Sequence, residues 1–343
     1  MGTDRITRIV TFWLLIATGL APVQAESRRE SSYGETSGEN ALAWQRDVRT
    51  KLNKILNMDV FLKNGRKPAL AAKLVRESEH ETYTAQEWEV DAVEGKRIRI
   101  LVTLPSVGAE PFPAVVGIAG HDSSAYSIYD TETWNHEPMV HDDLYHGFGT
   151  ILAKRGFITV TTQVAEHQMW KSHATRTGER LWVLMRCIDL LETMPRVDRH
   201  RIGTAGLSLG GTLALWLGAM DQRVDAVLSA GALTTMGHMT PDKHCQCWVV
   251  PGLAEAVDWP DVAALIAPRP LNCQIGQQEP EQGFPVELAE QAMAQLRPIY
   301  EDLGAPDHVT LDIHEGAHEI NVPGLLEFAD SLRKVDGNGA SVF

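Results

Sequence analysis

The sequence predicts an α/β fold in which an open, mostly parallel β-sheet is covered by helices on both faces. From about residue 87 onward, short runs rich in β-branched residues alternate with segments whose apolar residues recur at helical spacing. Consecutive parallel strands need a crossover connection, usually a helix, so this alternation favours a parallel sheet. A chain of 343 residues, 44% hydrophobic and 22% charged, has the composition of a globular protein and suits one large domain.

The individual elements follow from where these runs begin and end. Strands are predicted at 98–104, 114–119, 157–164, 201–205, 226–230, 271–275 and 309–313. A helix over 181–191 stops before Pro195, and an earlier amphipathic helix over 44–55 is expected to pack onto the domain. Strand and helix therefore alternate up to the last predicted strand, as the fold class requires.

The first 25 residues have the pattern of a secretory signal peptide. Arg5 and Arg8 precede an apolar run over 9–20, and a small residue at Ala25 completes a cleavage pattern. The alternative, an uncleaved membrane anchor, is disfavoured because the run is shorter than the ~20 residues that span a bilayer. The sequence therefore predicts a secreted or periplasmic protein with no membrane segment after cleavage.

Composition divides the rest of the chain and limits its partners. Residues 26–39, rich in Ser, Glu and Gly, are predicted to form a flexible linker, residues 40–335 a single domain with an N-terminal helical extension, and residues 336–343 a C-terminal tail. The formal net charge of -14 disfavours nucleic acid and anionic lipid as partners. A neutral or cationic substrate is therefore expected.

A glycine-rich turn carries the strongest chemical signal in the sequence. Residues 206–211 read GLSLGG and lie between the predicted strand 201–205 and a helix over 212–219, the setting in which a GxSxG motif presents a nucleophilic serine. Glycines are needed there because a side chain would collide with the neighbouring strand or helix. The alternative is an ordinary turn whose serine caps a helix. We predict Ser208 as the nucleophile, held above the carboxyl ends of the strands.

A serine hydroxyl needs a base within hydrogen-bonding reach, and the base needs an acid that orients it. In this setting the chain order is serine, acid, histidine, which restricts the base to histidines after the last predicted strand. His314 sits at the end of that strand and His318 in the loop beyond it, so we choose His318 and keep His314 as the alternative. The loop after strand 271–275 offers Glu279 and Glu281, and Glu279, nearer the strand end, is the predicted acid.

Two further groups complete the predicted site. An oxyanion hole needs two backbone N–H groups, one from the residue after the nucleophile and one from the loop after an earlier strand, which assigns Leu209 and His121. Trp134 and Tyr145 lie in a long polar loop over residues 122–146, and Trp248 lies in another over residues 233–259. Their rings are candidates for stacking on sugar faces. Because neither loop contains an apolar run suited to a fatty-acyl chain, short acyl groups are the expected substrates.

These residues resemble those of the α/β-hydrolase superfamily, in particular its dienelactone-hydrolase-like and acetyl-xylan-esterase-like branch with a serine nucleophile. The resemblance covers roughly residues 40–335 and rests on the runs 201–211, 267–270 and 316–319. It implies an α/β-hydrolase fold and ester hydrolysis through an acyl-enzyme without a cofactor. The nucleophile, acid and base that it implies are Ser208, Glu279 and His318. The sequence departs from this branch in using a glutamate where aspartate is commoner, and in the polar residues of the strand before that acid.

The loop after strand 226–230 groups histidines with cysteines, namely His238, His244, Cys245 and Cys247. This spacing would permit a zinc site, but the predicted chemistry needs no metal, and a CxC pair lacks the reach of the usual CxxC pair. Buried thiols, or a disulfide from this loop to Cys187 or Cys273, are favoured instead in an exported protein. We therefore predict no metal and no cofactor.

The leading hypothesis is an exported carboxylic-ester hydrolase that acts on short-acyl or acylated-carbohydrate esters. A serine peptidase of the prolyl-oligopeptidase kind shares the order of the three catalytic residues, but too few residues precede the first predicted strand for the propeller of those enzymes. A non-catalytic binding protein of the same fold is disfavoured because all three catalytic positions carry competent residues.

Overall fold

The computed structural model describes residues 29–34, 40–139, 141–165, 167, 170, 173–280 and 282–334. The strands are β1 (Lys73–Glu79), β2 (Tyr83–Val93), β3 (Lys96–Pro105), β4 (Phe112–Ile118), β5 (Ile158–Thr162), β6 (Val197–Leu207), β7 (Ala226–Ala230), β8 (Leu271–Gly276) and β9 (Val309–His314). The α-helices are α1 (Ala41–Leu56), α2 (Thr131–Trp134), α3 (Phe148–Lys154), α4 (Arg176–Leu191), α5 (Leu209–Met220), α6 (Leu253–Ala256), α7 (Trp259–Ala264), α8 (Val286–Asp302) and α9 (Val322–Arg333).

All nine strands belong to one sheet in the order β1-β2-β3-β5-β4-β6-β7-β8-β9. The strands from β5 to β9 in this order run parallel to one another, whereas β1, β2 and β3 form an antiparallel flank that joins β5. Because parallel strands end at the same edge of a sheet, the turns that follow β6, β7, β8 and β9 lie side by side. That edge is where the site is built.

Each face of the sheet is covered by its own hydrophobic core. Successive strand residues alternate between faces, so Val116 belongs to the core under α1, α4, α5, α7 and α8, while Val115 belongs to the core under α3 and α9. Helix α5 is buried along its length, since it follows β6 at the centre of the sheet and is enclosed by α4 and α7. The prediction of a mostly parallel sheet with helices on both faces is confirmed.

Of the antiparallel flank, β3 corresponds to the predicted strand 98–104, whereas β1 and β2 were not predicted from the sequence. Strand β2 alternates buried and partly exposed residues, and β1 is exposed along almost its whole length. Such strands give no continuous apolar run, because that signal belongs to parallel strands buried on both faces. The sheet consequently begins at Lys73 rather than near residue 87.

The segment before the domain is packed where the structure describes it. Arg29 forms an ion pair of 2.6 Å with Asp258, and the Tyr33 ring, 8% exposed, meets the Trp44 ring edge-on at 5.0 Å. The expectation of a flexible linker is therefore corrected for residues 29–34, because these two side chains supply contacts that the polar composition concealed. The predicted signal peptide and C-terminal tail lie outside the described residues. Among the described helices, none is long and apolar enough to cross a membrane.

Candidate active site

The turn between β6 and α5 holds Ser208 in a backbone conformation that non-glycine residues rarely adopt, with φ 61° and ψ -121°. The chain can turn so sharply only because its flanks are glycine. A Cβ atom at Gly206 would lie 2.4 Å from the Gly210 carbonyl oxygen, and one at Gly210 would lie 2.1 Å from that of Ile118. The Ser208 N–H donates to the Ala230 carbonyl at 2.9 Å, which ties the turn to β7. The serine is thereby fixed at the start of α5.

His318 and Glu279 form a hydrogen-bonded pair in the same region. His318 Nδ1 lies 2.9 Å from each carboxylate oxygen of Glu279. The Glu279 side chain is 2% exposed and that of His318 is 24% exposed, so the carboxylate is enclosed while the imidazole reaches the surface. An Nδ1–H that donates to the carboxylate leaves Nε2 with the lone pair. Ser208 and His318 line one cleft, so the structure brings together the nucleophile, acid and base selected from the sequence.

The neighbouring strand ends fix this pair. Gln274, on β8, is fully buried; its amide donates to the Asn321 carbonyl and accepts from the Asn321 N–H, both at 3.1 Å. The polar strand residue thus holds the loop that carries His318. Gly231, after β7, has φ 54°, and a Cβ there would lie 2.7 Å from the His318 ring. The imidazole therefore packs directly on the backbone of the adjacent turn.

The two alternative residues are placed differently. His314 accepts a hydrogen bond at Nδ1 from the Gly316 N–H, 3.2 Å away, and lines a separate cavity that also contains Glu319. Among the described hydrogen bonds, none joins His314 to Glu279. Glu281, the competing acid, lies outside the described residues.

A long connection between β4 and α3, residues 119–147 and hereafter the β4–α3 loop, passes beside the nucleophile. A Cβ at Gly120 would lie 3.2 Å from the Ser208 Cβ. The Gly120 N–H donates to the Tyr145 hydroxyl at 2.7 Å, and that hydroxyl lies 2.9 Å from Ser123 Oγ. Burial raises the pKa of Tyr145, which keeps the phenol protonated at neutral pH. Tyr145 therefore holds the β4–α3 loop in place next to Ser208.

The two backbone N–H groups predicted to form the oxyanion hole belong to Leu209, which follows Ser208, and His121, which follows Gly120. Leu209 is the first residue of α5, where backbone N–H groups have no partner within the helix. His121 follows Gly120, and none of the described residues accepts a hydrogen bond from its N–H. Both N–H groups therefore remain available beside the serine.

A cleft of about 260 Å³ opens at Ser208 and His318. Its other lining residues are His244, Trp248, Pro280, Gln282, Gly283 and Phe284. The Phe284 ring stacks on His318 at 6.1 Å, on Trp248 at 5.7 Å and on His244 at 5.2 Å. Burial, with the neighbouring His238, Lys243 and His318, lowers the pKa of His244 to about 4, so this ring is neutral at pH 7. The wall facing His318 is thus aromatic and uncharged.

Only one of the three aromatic residues predicted to stack on substrate lines this cleft. Trp248 does so, whereas Trp134 is 4% exposed and Tyr145 is 2% exposed. Trp134 packs edge-on against Tyr126 and Tyr129 at 6.1 and 5.7 Å. The stacking role predicted for Trp134 and Tyr145 is therefore wrong, because both rings belong to the core. Phe284, which sequence reasoning missed, also borders the cleft; it is 2% exposed and packs on His244, Trp248 and His318.

The cysteines adopt neither of the favoured arrangements as a set. All four are free, so the predicted disulfide to Cys187 or Cys273 is not formed. One group of side chains places its potential ligand atoms within 4.8 Å of one another: His121, His167, Cys245 and Cys247. His238, which the spacing grouped with the thiols, instead contacts the Gly283 carbonyl at 2.6 Å. Spacing could not reveal His167, which is 78 residues from Cys245 in the sequence.

A family comparison matches residues 58–232, just over half of the chain, to the family described as acetyl xylan esterase (AXE1). The match includes the Ser208 turn and ends before Glu279 and His318. Among curated proteins, YtaP of Bacillus subtilis (strain 168), which is named as a hydrolase, is 26% identical over 211 residues, covering 57% of this chain and 70% of YtaP. The esterase FrsA of Yersinia enterocolitica is 24% identical over 160 residues, covering 46% of this chain and 34% of FrsA. The matched segment therefore spans about a third of the length of FrsA.

Solved structures extend the likeness to nearly the whole domain. A glucuronoyl esterase from Solibacter usitatus has a TM-score of 0.68 at 16% identity, covering 91% of this chain and 99% of its own. Acetyl xylan esterase 1 from Thermoanaerobacterium sp. JW/SL YS485 has a TM-score of 0.55 at 17% identity, covering 83% and 93% of the two chains. At such identities the likeness shows the fold, which is that of the α/β hydrolases.

Proposed function

The chain belongs to the acetyl xylan esterase (AXE1) family and is a carboxylic-ester hydrolase, and from this premise we propose that it is a serine esterase in which Ser208, His318 and Glu279 act as nucleophile, base and acid. The observation that carries the proposal is the His318–Glu279 pair, joined at 2.9 Å, in one cleft with the strained serine turn. A nucleophile, a base and an orienting acid in this relation suit acyl transfer.

The reaction uses these groups in two half-reactions. Ser208 Oγ attacks the ester carbonyl carbon while His318 Nε2 takes the hydroxyl proton, and the Glu279 carboxylate stabilises the imidazolium that forms. His318 then returns the proton to the departing alcohol oxygen, which leaves an acyl group on Ser208. Water, deprotonated by the same imidazole, then attacks that acyl group, and the acid leaves as His318 returns the proton to Ser208 Oγ.

The negative charge of each tetrahedral intermediate falls on the former carbonyl oxygen. The N–H groups of Leu209 and His121 are the donors proposed for it, since both border the serine and neither is used within the described structure. Tyr145 supports this role indirectly, because its hydroxyl occupies the Gly120 N–H and fixes the loop that carries His121.

The substrate class proposed is a short-acyl ester or an acylated carbohydrate. A cleft of about 260 Å³ is small for a ligand site, and Trp248 offers an aromatic face near its mouth. Three solved structures with this fold are named for acetyl xylan, glucuronoyl or methyl esters. Export through the predicted signal peptide, residues 1–25, would bring such an enzyme to carbohydrate outside the cytoplasm.

The mechanism is tested with variants of the three groups on p-nitrophenyl acetate. Ser208→Ala and His318→Ala should each lower kcat by more than about 10³-fold, and Glu279→Gln by about 10³–10⁴-fold, without loss of the fold. His314→Ala is the matched control and should keep near wild-type kcat. Wild-type protein, but not Ser208→Ala, should be labelled by a fluorophosphonate. A folded Ser208→Ala variant with near wild-type turnover would overturn the assignment.

The substrate class is tested by the dependence of kcat/KM on acyl length. Each buried methylene contributes ~0.8 kcal/mol, so an enzyme with an acyl tunnel would show kcat/KM rising steeply from acetate to octanoate. Here p-nitrophenyl acetate is expected to exceed butyrate, octanoate and palmitate, and acetylated xylo-oligosaccharides should be deacetylated. A maximum at octanoate or longer contradicts the short-acyl proposal.

A further inference from the structure

Four side chains outside the proposed triad converge beside the cleft. The Nε2 atoms of His121 and His167 are 2.9 Å apart, and His167 Nε2 is 3.3 Å from Cys245 Sγ. With Cys247 Sγ, all four atoms lie within 4.8 Å of one another. In a tetrahedral zinc site with Zn–N of about 2.0–2.1 Å and Zn–S of about 2.3 Å, ligand atoms lie about 3.3–3.8 Å apart. The separations within the cluster, from 2.9 Å to at most 4.8 Å, fall on both sides of this range, so small side-chain rotations would place all four atoms around one ion.

We propose that His121, His167, Cys245 and Cys247 form a structural Zn²⁺ site. Two imidazoles and two thiolates are a donor set typical of tetrahedral zinc. Binding releases one proton from each thiol, and the two thiolates then neutralise the ion, so the site adds no net charge to this part of the protein.

The topology explains how ligands so distant in sequence meet. Strands β4 and β5 are parallel neighbours, and His121 and His167 follow their carboxyl ends. The thiols come from the connection between β7 and α7, residues 231–258 and hereafter the β7–α7 loop. Because each histidine arrives from a different strand end, the CxC pair has to supply only two adjacent corners, and its short reach is no obstacle.

The groups around the cluster suit a metal site. His121 Nδ1 lies 2.8 Å from the Asp122 carboxylate, an arrangement that directs the Nε2 lone pair toward the cluster and is common behind metal-bound histidines. The Cys247 N–H lies 3.4 Å from Cys245 Sγ, where it donates to the sulfur. Arg180 Nη1 donates to the Cys247 carbonyl at 3.2 Å and brings a positive charge close to the thiols. These contacts hold the His121 imidazole and the two sulfur atoms in place around the cluster.

The position of the cluster indicates what the ion would do. All four corners are filled by protein groups, which leaves no open position for a substrate or water, so the role is structural. His121 belongs to the loop beside Ser208, and Trp248, which lines the cleft, follows Cys247. One ion would thus fasten the loop beside Ser208 to the loop that lines the ester cleft and to His167, which follows β5.

The experiment measures metal binding without any ester substrate. Tag-free wild-type protein, reduced and handled without oxygen, is stripped with a chelator and titrated with Zn²⁺ against a chromophoric competitor, and with Co²⁺ in a spectrophotometer. One Zn²⁺ per chain is expected, with the visible bands of tetrahedral Co²⁺ and a thiolate-to-cobalt charge-transfer band. Zn²⁺ should also raise the Tm.

Ligand variants and matched controls make the result specific. Cys245→Ser and Cys247→Ser should each weaken Zn²⁺ binding more than about 100-fold and reduce the charge-transfer band, since loss of even an outer partner costs about 10–100-fold. Asp122→Asn removes such an outer partner, that of His121, and should weaken Zn²⁺ binding by about 10–100-fold. Cys187→Ala and Cys273→Ala, which remove buried thiols elsewhere, should bind like wild type.

Two results would overturn the proposal. One is a wild-type protein that is reduced and folded, by near-ultraviolet circular dichroism, yet binds no equivalent of Zn²⁺ at micromolar concentration. The other is undiminished binding by folded Cys245→Ser and Cys247→Ser variants. Neither outcome depends on whether Ser208 is the nucleophile.

Discussion

The β4–α3 loop and the β7–α7 loop rise from the same edge of the sheet and carry similar aromatic and histidine side chains, but they do different work. In the β4–α3 loop, Trp134 and Tyr145 are 4% and 2% exposed and belong to one of the two cores. In the β7–α7 loop, His244 and Trp248 line the cleft over Ser208. The first loop holds its own backbone in place beside Ser208, and the second forms the wall of the cleft.

The difference lies in what each loop packs against. The β4–α3 loop packs over the sheet, where its own Ile128 and Tyr129 join Phe148 of α3 in the core. The hydroxyl of its buried Tyr145 accepts a hydrogen bond from the Gly120 N–H. The β7–α7 loop projects past the strand ends and stacks on Phe284, beyond β8. The two loops therefore place their aromatic rings differently, in the core in the first and at the cleft in the second.

The largest expected effect is on stability, from Trp134→Ala in the first loop. Removing a buried tryptophan should cost about 3–5 kcal/mol of unfolding free energy, because the ring leaves a cavity among Tyr126 and Tyr129. Urea denaturation measures this loss, and kcat/KM at a temperature where the variant is folded should stay close to wild type. Trp248→Ala is the matched control and should lose much less stability. Equal losses would remove the distinction between the loops.

An intermediate effect is expected for Tyr145→Phe, which should change kcat more than KM. The variant leaves the buried Gly120 N–H without its acceptor, which costs about 1–3 kcal/mol and loosens the loop that carries His121. Steady-state kinetics on p-nitrophenyl acetate and urea denaturation give the two readouts. Tyr126→Phe, in the same loop, serves as the control. If Tyr145→Phe raised KM alone, Tyr145 would contact substrate after all.

A smaller effect, confined to substrate binding, is expected for Trp248→Ala. Loss of an aromatic stacking face worth about 0.5–1.5 kcal/mol should raise KM for an acetylated sugar by about 2–10-fold, with little change in kcat. Trp248→Phe should recover most of the loss. An unchanged KM for carbohydrate esters would place the sugar on another wall of the cleft.

Local rules made much of the site predictable. The Ser208 turn is determined by glycines within three residues of it, since Gly206 and Gly210 have no room for a Cβ. Glu279 and His318 follow from chain order, because the last two strands are neighbours in the sheet and their loops meet at its edge. The parallel strands were predictable as apolar runs because they are buried on both faces.

What could not be predicted depends on contacts between distant segments. Trp134 and Trp248 look alike in sequence, and only the path of each loop buries one and exposes the other. His121 and His167 meet because β4 and β5 are neighbours, an order that the strand pattern does not specify. The docked segment 29–34 gives no compositional signal, since a few side chains such as Tyr33 carry its contacts.

The smallest expected effect is a pH dependence of stability that originates in the β7–α7 loop. The pKa of His244 is lowered to about 4, first by burial and then by the neighbouring His238, Lys243 and His318, against an ordinary value of 6.5. Between these values the unfolded chain binds a proton that the folded chain does not, so this residue makes stability fall as the pH drops through 6.5 toward 4. From pH 7 to pH 6 the expected contribution is about 0.7 kcal/mol. Urea denaturation of wild type, His244→Phe and His244→Gln at both pH values isolates it, because either neutral replacement should flatten the dependence by that amount, whatever its own packing cost. If both variants lost stability between pH 7 and pH 6 as steeply as wild type, His244 would not be held neutral in the wall of the cleft.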